Sequence, residues 1–373
     1  IIHQQGLNND FWGTTFSANY QKNDVQLLFG GLLNRYEGSH YKDLLWAEKA
    51  SFVYGNRYSY EGLNTKEEAA GYSKLTWQFA PKWSLFADVQ FRYVGYKANK
   101  YKIDESLNSF NPKAGITFFL NAHNDLYLSY ARATKEPNRS DYKSYYEALQ
   151  DDPNAKKPIA EKLNDIELGW RLTTPKVRLN LNGYYMGYED QLVLSGKLNS
   201  TGYPIRENVG KSYRAGIEAN AMVQLSELWF WSPNVAFSKN VNKDYKSQDA
   251  EVATRTISWG DTRISYSPDV VLGNTITFIP IEGFQIGLIS KYVGAQYVDN
   301  TEREEAKLDA YFVNNLSLQY EWKPKSTFKS VLFSVMGNNI FNTKYTPYGD
   351  NGYGMVYIPA AEANYLAGVT LSF

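Results

Sequence analysis

The sequence predicts an all-β protein, a transmembrane antiparallel up-and-down β-barrel. Three observations carry that prediction. Apolar and polar residues alternate with period two along most of the chain. Many alternating stretches exceed the roughly 5–6 residues of an ordinary strand; several also exceed the roughly 9 residues a strand needs to cross a bilayer at a tilt. Short and long connectors alternate strictly from one end of the chain to the other, which a sandwich has no reason to do.

The alternation is clearest in three places. In "VRLNLNGYY" Val177, Leu179, Leu181 and Tyr185 share one face, and Arg178, Asn180, Asn182 and Tyr184 the other. In "SLFADVQFRYVGY" Leu85, Ala87, Val89, Phe91 and Tyr93 oppose Asp88, Gln90 and Arg92. In "NDIELGWRL" Ile166, Leu168, Trp170 and Leu172 oppose Glu167 and Arg171. About 15 strands follow from such patterns. They are expected near 11–20, 25–37, 70–80, 83–97, 110–120, 125–136, 163–173, 176–194, 203–226, 228–241, 262–280, 283–299, 306–323, 328–346 and 358–373.

Tight turns rich in Pro, Gly, Asn or Asp join alternate strand pairs: "QKND", "APKW", "NAHN", "TTPK", "LSEL", "PIEG" and "KPKS". The other connectors are long, at 37–69, 98–109, 137–162, 195–201, 242–260, 300–305 and 347–357. In an outer-membrane barrel, short turns face the periplasm and long loops the outside. Trp77, Trp83, Trp229, Trp231 and Trp322 lie near the short turns, where an interfacial aromatic girdle belongs.

Composition narrows the classes further. The 373 residues include no Cys, which removes disulfide frameworks and thiolate metal sites. Lys plus Arg and Asp plus Glu are 39 each, so no net field points to nucleic acid. There are 31 Tyr, 19 Phe and 9 Trp. Mean hydropathy is negative and no apolar run is long enough for a membrane helix. A soluble all-β protein and a barrel with a polar lumen both fit these numbers; the connector pattern favours the barrel.

The end of the chain, "NYLAGVTLSF", alternates Tyr365, Ala367, Val369, Leu371 and Phe373 against smaller or polar residues. Such a strand closes a barrel, because an unpaired edge in lipid is costly. An odd strand count, with the first and last strands running the same way, cannot close an up-and-down barrel. The start "IIHQQGLNND" has no signal-peptide pattern and reads as the end of an outer loop. The chain is therefore expected to be the C-terminal part of a longer barrel.

Several stretches resemble the TonB-dependent receptors of Gram-negative outer membranes, the Bacteroidetes branch in particular. "DLYLSYARATKEPNRSDY" resembles that family's strand-to-loop signature, and "KPIAEKLNDIELGWR" its Pro-x-x-Glu and Glu-Leu-Gly pattern. "NVGKSYRAGIEANA" and "GNNIFNTKYTPYG" are similar to two further segments, and "YLAGVTLSF" to its terminal strand. The resemblance implies a 22-stranded barrel, of which the first strand here is the eighth. It also implies an N-terminal plug and a Ton box that recruits TonB and its inner-membrane energising complex. Neither lies in this sequence. Residues 1–373 are thus expected to be the C-terminal portion of the barrel, without the plug and first strands. The implied function is TonB-driven uptake of a scarce nutrient: an iron chelate, haem, cobalamin or an oligosaccharide. The expected setting is the outer membrane of a Gram-negative bacterium, as a monomeric barrel in contact with lipid. A plug-free passive porin or surface adhesin is the alternative, and a soluble carbohydrate-binding β-protein a third reading.

Two groups of residues are candidates for function. Arg132, Lys135, Glu136, Arg139 and Asp141 sit where a strand enters a long outer loop. They read either as a lumen charge network bracing that loop or as contacts to plug or substrate. Glu167 and Arg171 lie on the polar face and read the same way. The second group is aromatic: Tyr142, Tyr145 and Tyr146 in "DYKSYYEAL", and Tyr348, Tyr353 and Tyr357 in "TPYGDNGYGMVY". Exposed aromatics on loops held by a rigid wall suit flat or glycan-like ligands and iron chelates; interfacial anchoring or loop self-packing is the structural alternative. No cofactor is expected. His3, His40 and His123 are scattered, with no metal-ligand spacing and no nucleophile motif beside them, so neither a metal site nor an enzyme is expected.

Overall fold

The computed structural model describes residues 2–49, 57–60, 62–151, 153, 155–198, 204–248, 256–324, 328–351 and 354–373. Among them the chain is almost entirely antiparallel strand, and none of its helices is long and apolar enough to cross a membrane. It divides into two compact units, residues 1–116 with 130–162, and residues 117–129 with 163–373.

In the first unit, β1 (Ile2–Lys22), β2 (Val25–Trp46), β3 (Arg57–Tyr60), β4 (Asn64–Ala80) and β5 (Trp83–Ala98) pair as antiparallel neighbours: β1 with β2, β2 with both β3 and β4, and β4 with β5. The strands β6 (Ile103–Asn121) and β7 (Asn124–Lys135) have their outer ends in this unit, which also holds the helix α1 (Arg139–Asp151). The second unit carries β8 (Glu161–Thr173), β9 (Val177–Leu198), β10 (Pro204–Gln224), β11 (Trp229–Gln248), β12 (Thr256–Arg263), β13 (Val270–Ile281) and β14 (Phe284–Val293). After them come the small hairpin β15 (Gln296–Tyr297) and β16 (Lys307–Leu308), then β17 (Tyr311–Trp322) and β18 (Ser330–Asn338). A second small hairpin, β19 (Tyr348–Asp350) and β20 (Val356–Ile358), precedes β21 (Asn364–Ser372). Pairing runs in chain order along the wall from β9 to β21.

Turn chemistry fixes the register. Asn23 takes the left-handed backbone (φ 51) that joins Lys22 to Val25, a conformation Asn tolerates better than most residues. Asn121 accepts the His123 amide at 2.8 Å, closing the "NAHN" turn. Ser226 accepts the amides of Leu228 and Trp229, both at 3.2 Å. Gly283 is required twice over, by φ +81 and by the Glu321 carbonyl 2.5 Å from where a Cβ would stand. The turn at 323–326 lies partly outside the described residues.

The registers show where the apolar band ends. On one face of the first unit, paired rows run from Val25, Trp77 and Leu85 beside the short turns to Leu33, Ala69 and Tyr93. Val25 to Leu33 is roughly nine residues, the length that crosses a hydrocarbon core at a tilt. In the next row Arg35 stands opposite Glu67 and forms an ion pair with it at 3.0 Å, and Glu37 joins Arg35 from its own strand. Charge at that height on a lipid-side face requires water. The Trp residues near the short turns, Trp77, Trp83, Trp229, Trp231 and Trp322, are all exposed.

The wall strands number about 15, as the alternation implied, but their outer limits differ from the sequence reading. The segment 37–69 is not a loop throughout: β2 continues to Trp46, and β4 begins at Asn64. Likewise β6 starts at Ile103, and β11 and β12 extend into 242–260. These extensions mix charged and apolar residues on both faces, so hydropathy alternation fades there while backbone pairing goes on. The expected strand 262–280 is broken at 264–269, where Tyr266 adopts a left-handed backbone (φ 51). The strand expected at 328–346 stops at Asn338 because Asn339 (φ 49) and Asn342 (φ 52) turn the chain. The Asn339 side chain exchanges hydrogen bonds with the Thr343 backbone, both at 2.9 Å, and Asn342 accepts from Ala363 at 2.9 Å.

Candidate functional site

At the outer end of the first unit, polar-face side chains from separate elements converge on Glu136. Arg92 on β5 donates to both its carboxylate oxygens, at 2.7 and 2.9 Å, and Lys66 on β4 donates at 2.8 Å. Arg92 also reaches Glu68 at 2.5 Å, and Asn34 on β2 donates to Glu68 at 3.3 Å. Forked guanidinium–carboxylate pairs are among the strongest side-chain contacts. Burial opposes ionisation of Glu136, but the hydrogen bonds from Arg92 and Lys66 outweigh it and hold the carboxyl down to about 2. Glu136 is thus a permanent anion that fixes the point where β7 leaves the wall.

The segment 137–162 holds the helix α1, a correction to the loop expected there. Its start is set by a reciprocal cap: the Asp141 amide donates to Asn138 Oδ1 at 3.0 Å, and the Asn138 amide donates to Asp141 Oδ2 at 2.7 Å. "PNRSD" therefore encodes a helix N-terminus, with Asp141 as a capping residue. We expect Asn138→Ala to cost about 1 kcal/mol of local stability, seen as faster hydrogen exchange across 139–145.

The helix presses an aromatic cluster onto the wall. Tyr142 is buried, at 6% exposure, and stacks on Tyr96 with ring centroids 5.6 Å apart. Tyr146 meets Tyr101 edge-on at 5.4 Å. Ala98 and Ile103 complete the cluster. Burial, with the charge of Glu105 nearby, pushes the Tyr142 hydroxyl up to about 12. Arg139 lies over the Tyr101 ring, 5.8 Å from its centroid. Tyr142 is accordingly not the exposed loop aromatic that the sequence suggested; Tyr145 and Tyr146 are half-buried on the same helix.

The remaining candidate charges separate from one another. Arg132 shares the apolar face of Leu126, Leu128 and Tyr130 and is exposed there, so it does not belong to a lumen network. Lys135 pairs with Glu161 at 3.2 Å. Arg171 is at the opposite, short-turn end of the wall, bound to Asp125 at 2.6 Å and stacked over Tyr127 at 4.9 Å. Glu167 lies on the polar face of β8, four residues before Arg171. The partners that organise Glu136, namely Lys66, Glu68 and Arg92, were missed as a group. Turn geometry alone does not reveal them: a bulge between Trp77 and Ala80 shifts the register by one residue, and only beyond it does Ala70 stand opposite Arg92, which brings Glu68 within diagonal reach.

The second unit has its own ordered outer end. Asn300 is fully buried, accepts from Asn242 at 3.1 Å and from the Ser265 amide at 2.9 Å, and donates to the Leu194 carbonyl at 2.8 Å. Tyr348 stacks on Tyr266 at 5.5 Å, and the Tyr266 hydroxyl donates to the Gly349 carbonyl. The Tyr357 hydroxyl donates to the Glu305 carbonyl. Tyr348 and Tyr357 nevertheless keep 37% and 44% of their surface exposed. Tyr353 lies outside the described residues. Among the described residues no three His, Asp or Glu side chains form a metal-holding group.

Antiparallel strands with a nine-residue apolar band in the first unit, and short turns joining alternate pairs, define the wall of a membrane β-barrel. The chain belongs to the family described as TonB dependent receptor-like, beta-barrel, whose model matches residues 3–340. It is 24% identical over 298 residues to the pesticin receptor of Yersinia enterocolitica, across 77% of this chain and 41% of that protein. Many solved structures share the fold, and two illustrate it. One is the ferric-catecholate import receptor Fiu from E. coli K12, in its closed form, with a TM-score of 0.72, 15% identity, and 99% of this chain against 55% of that one. The other is the ferric yersiniabactin uptake receptor FyuA from Yersinia pestis, with a TM-score of 0.65, 19% identity, and 98% of this chain against 54% of that one. The chain thus spans about half the length of the relatives it matches.

Proposed function

We propose that this chain is the C-terminal portion of the barrel of an outer-membrane receptor in a Gram-negative bacterium. The receptor takes up a scarce nutrient under TonB control, and a plug domain and first strands lie outside residues 1–373. Family membership supports the reading, and the iron-chelate import receptors that share the fold make a ferric chelate the favoured cargo. The observation that carries it lies at the outer end of the second unit, where Tyr348 and Tyr357 remain open on packed supports. Open aromatic faces on an ordered support suit a flat, partly apolar chelate. In the first unit, taken by itself, the charges around Glu136 satisfy one another, and Tyr145 and Tyr146 are its ligand candidates, with Tyr142 as the support beneath. No catalytic step is assigned to any residue.

The test is uptake of labelled ferric chelates by cells with and without TonB. Accumulation is expected only when TonB is present; equal accumulation in both strains rejects the proposal. The protein extracted from its native membrane should have about twice the 42.6 kDa of this chain and should begin with a small globular domain. A product of 42.6 kDa would instead favour the passive porin reading.

A further inference from the structure

On the apolar face of the first unit, a row of paired residues runs Phe16, Gly31, Gly71, Phe91 across β1, β2, β4 and β5. Phe110 on β6 packs against Phe91 with centroids 4.7 Å apart. Two adjacent glycines thus lie between aromatic walls. They are not equivalent. A Cβ on Gly31 would meet the Phe16 ring at 2.8 Å and the Ala70 carbonyl at 2.7 Å, so packing within the chain explains that glycine. A Cβ on Gly71 would meet nothing within 4 Å, and its backbone is not in the left-handed region. Gly71 therefore has neither a conformational nor an internal packing reason to lack a side chain, although glycine weakens a strand interior.

The space above Gly71 is a groove of about 610 Å³, within the roughly 300–1,000 Å³ of small-ligand sites. Phe16 and Leu33 wall it on one side, and Phe91, Tyr93 and Phe110 on the other. It reaches the outermost apolar row, Leu33, Ala69 and Tyr93; the next row out carries Arg35 and Glu67. The groove is therefore at membrane depth, open to hydrocarbon and adjacent to the outer water boundary.

We propose that this groove is a fixed binding site for one acyl chain of an outer-leaflet lipid, with the chain over Gly71 and the headgroup end at the Arg35–Glu67 row. The inference rests on the membrane reading of the apolar face. A saturated chain matches a narrow trough lined by ring faces and a bare backbone. A lipid held there is set apart from the bulk bilayer by the aromatic walls.

The test uses the protein extracted from its native membrane and placed in lipid nanodiscs. These are doped with a phospholipid whose photoreactive diazirine is on an acyl carbon close to the headgroup. Adducts on Phe91, Tyr93 and Phe110 should exceed those on Phe29 and Ile217, other exposed apolar residues, by about tenfold. Gly71→Leu should fill the trough and bring labelling down to that background. Equal labelling along the band, or labelling unchanged by Gly71→Leu, overturns the proposal. So does preferential labelling only when the diazirine is at the methyl end, which would mark an inner-leaflet chain, or a cross-link from the groove to a second copy of the protein. No labelling anywhere would instead reject the membrane reading itself. If Gly71→Leu does not reach the heat-modifiable folded form, Phe110→Ala removes one wall without adding bulk and must lower labelling in the same way.

Discussion

Arg92→Ala is expected to release the helix α1 from the wall. The substitution removes the forked contact to Glu136 and the contact to Glu68 together, leaving two carboxylates facing each other with Lys66 as the nearest cation. Breaking a fully buried pair by deleting one partner costs roughly 3–5 kcal/mol; here a sixth to a fifth of each side chain meets water, so about 2–3 kcal/mol is expected. Hydrogen exchange across 136–148 should speed up roughly 30- to 150-fold, while exchange near the short turns stays unchanged. Arg92→Lys should recover only part of the loss, since a single ammonium cannot bridge both carboxylates with fork geometry. Unchanged exchange in Arg92→Ala would show that Glu136 does not anchor the helix.

Acid should act in the same direction. The Glu136 carboxyl is depressed to about 2 in the folded protein, so it binds a proton less readily folded than unfolded. Its stabilisation is fully present above the ordinary Glu range near 4.5 and is lost as pH falls from there towards 2. His40 is depressed as well, by burial first and then by Arg139 and Lys143. Its contribution starts to fall as pH drops through 6.5. Exchange across α1 should therefore rise in two stages on acidification. His40→Gln should remove the earlier stage and leave the later one.

What the sequence showed depended on the physical source of each signal. Where one face meets hydrocarbon, alternation is enforced by the solvent, and β5 and β7 were legible nearly to the residue. Above the band both faces meet water, the period-two signal has no cause, and the outer ends of β2, β4 and β11 were read as loops although their pairing continues. The helix α1 was missed because its cap, Asn138 with Asp141, lay inside a segment already assigned to a loop. For the site, the sequence located Glu136 but not its partners, because Lys66, Glu68 and Arg92 are distant in sequence and meet only through strand register. Arg132 was assigned to the wrong face by its neighbours in sequence, although counting by two from Leu126 and Leu128 places it on the apolar side. Tyr142 differs from Tyr348 for a similar reason: composition marks both as loop aromatics, and only packing decides which one remains open to a ligand.

Asn300→Ala should be the most damaging single change at the outer end of the second unit. One fully buried amide links three elements there: it accepts from Asn242 on β11 and from the Ser265 amide beyond β12, and it donates to the Leu194 carbonyl on β9. Alanine leaves the buried Ser265 N–H and the Asn242 amide without this partner, while the Leu194 carbonyl keeps the Ser265 hydroxyl at 3.0 Å. Each orphaned group costs about 1–3 kcal/mol, so a total near 2–4 kcal/mol is expected once partial relaxation is allowed. Asn300→Asp separates shape from chemistry. A carboxylate keeps the two accepting contacts but cannot donate to Leu194, and it places a charge where none is compensated. Both variants should lose protection at Ser265 and around Leu194, while the β13–β14 pairing remains intact. Tyr348 stacks on Tyr266, one residue from Ser265, so the same variants should weaken any ligand that uses Tyr348. Tyr348→Ala should weaken that ligand without altering exchange at Ser265. A variant pair in which Asn300→Ala leaves ligand binding untouched while Tyr348→Ala abolishes it would show that the buried amide supports the fold alone and does not position the aromatic rim.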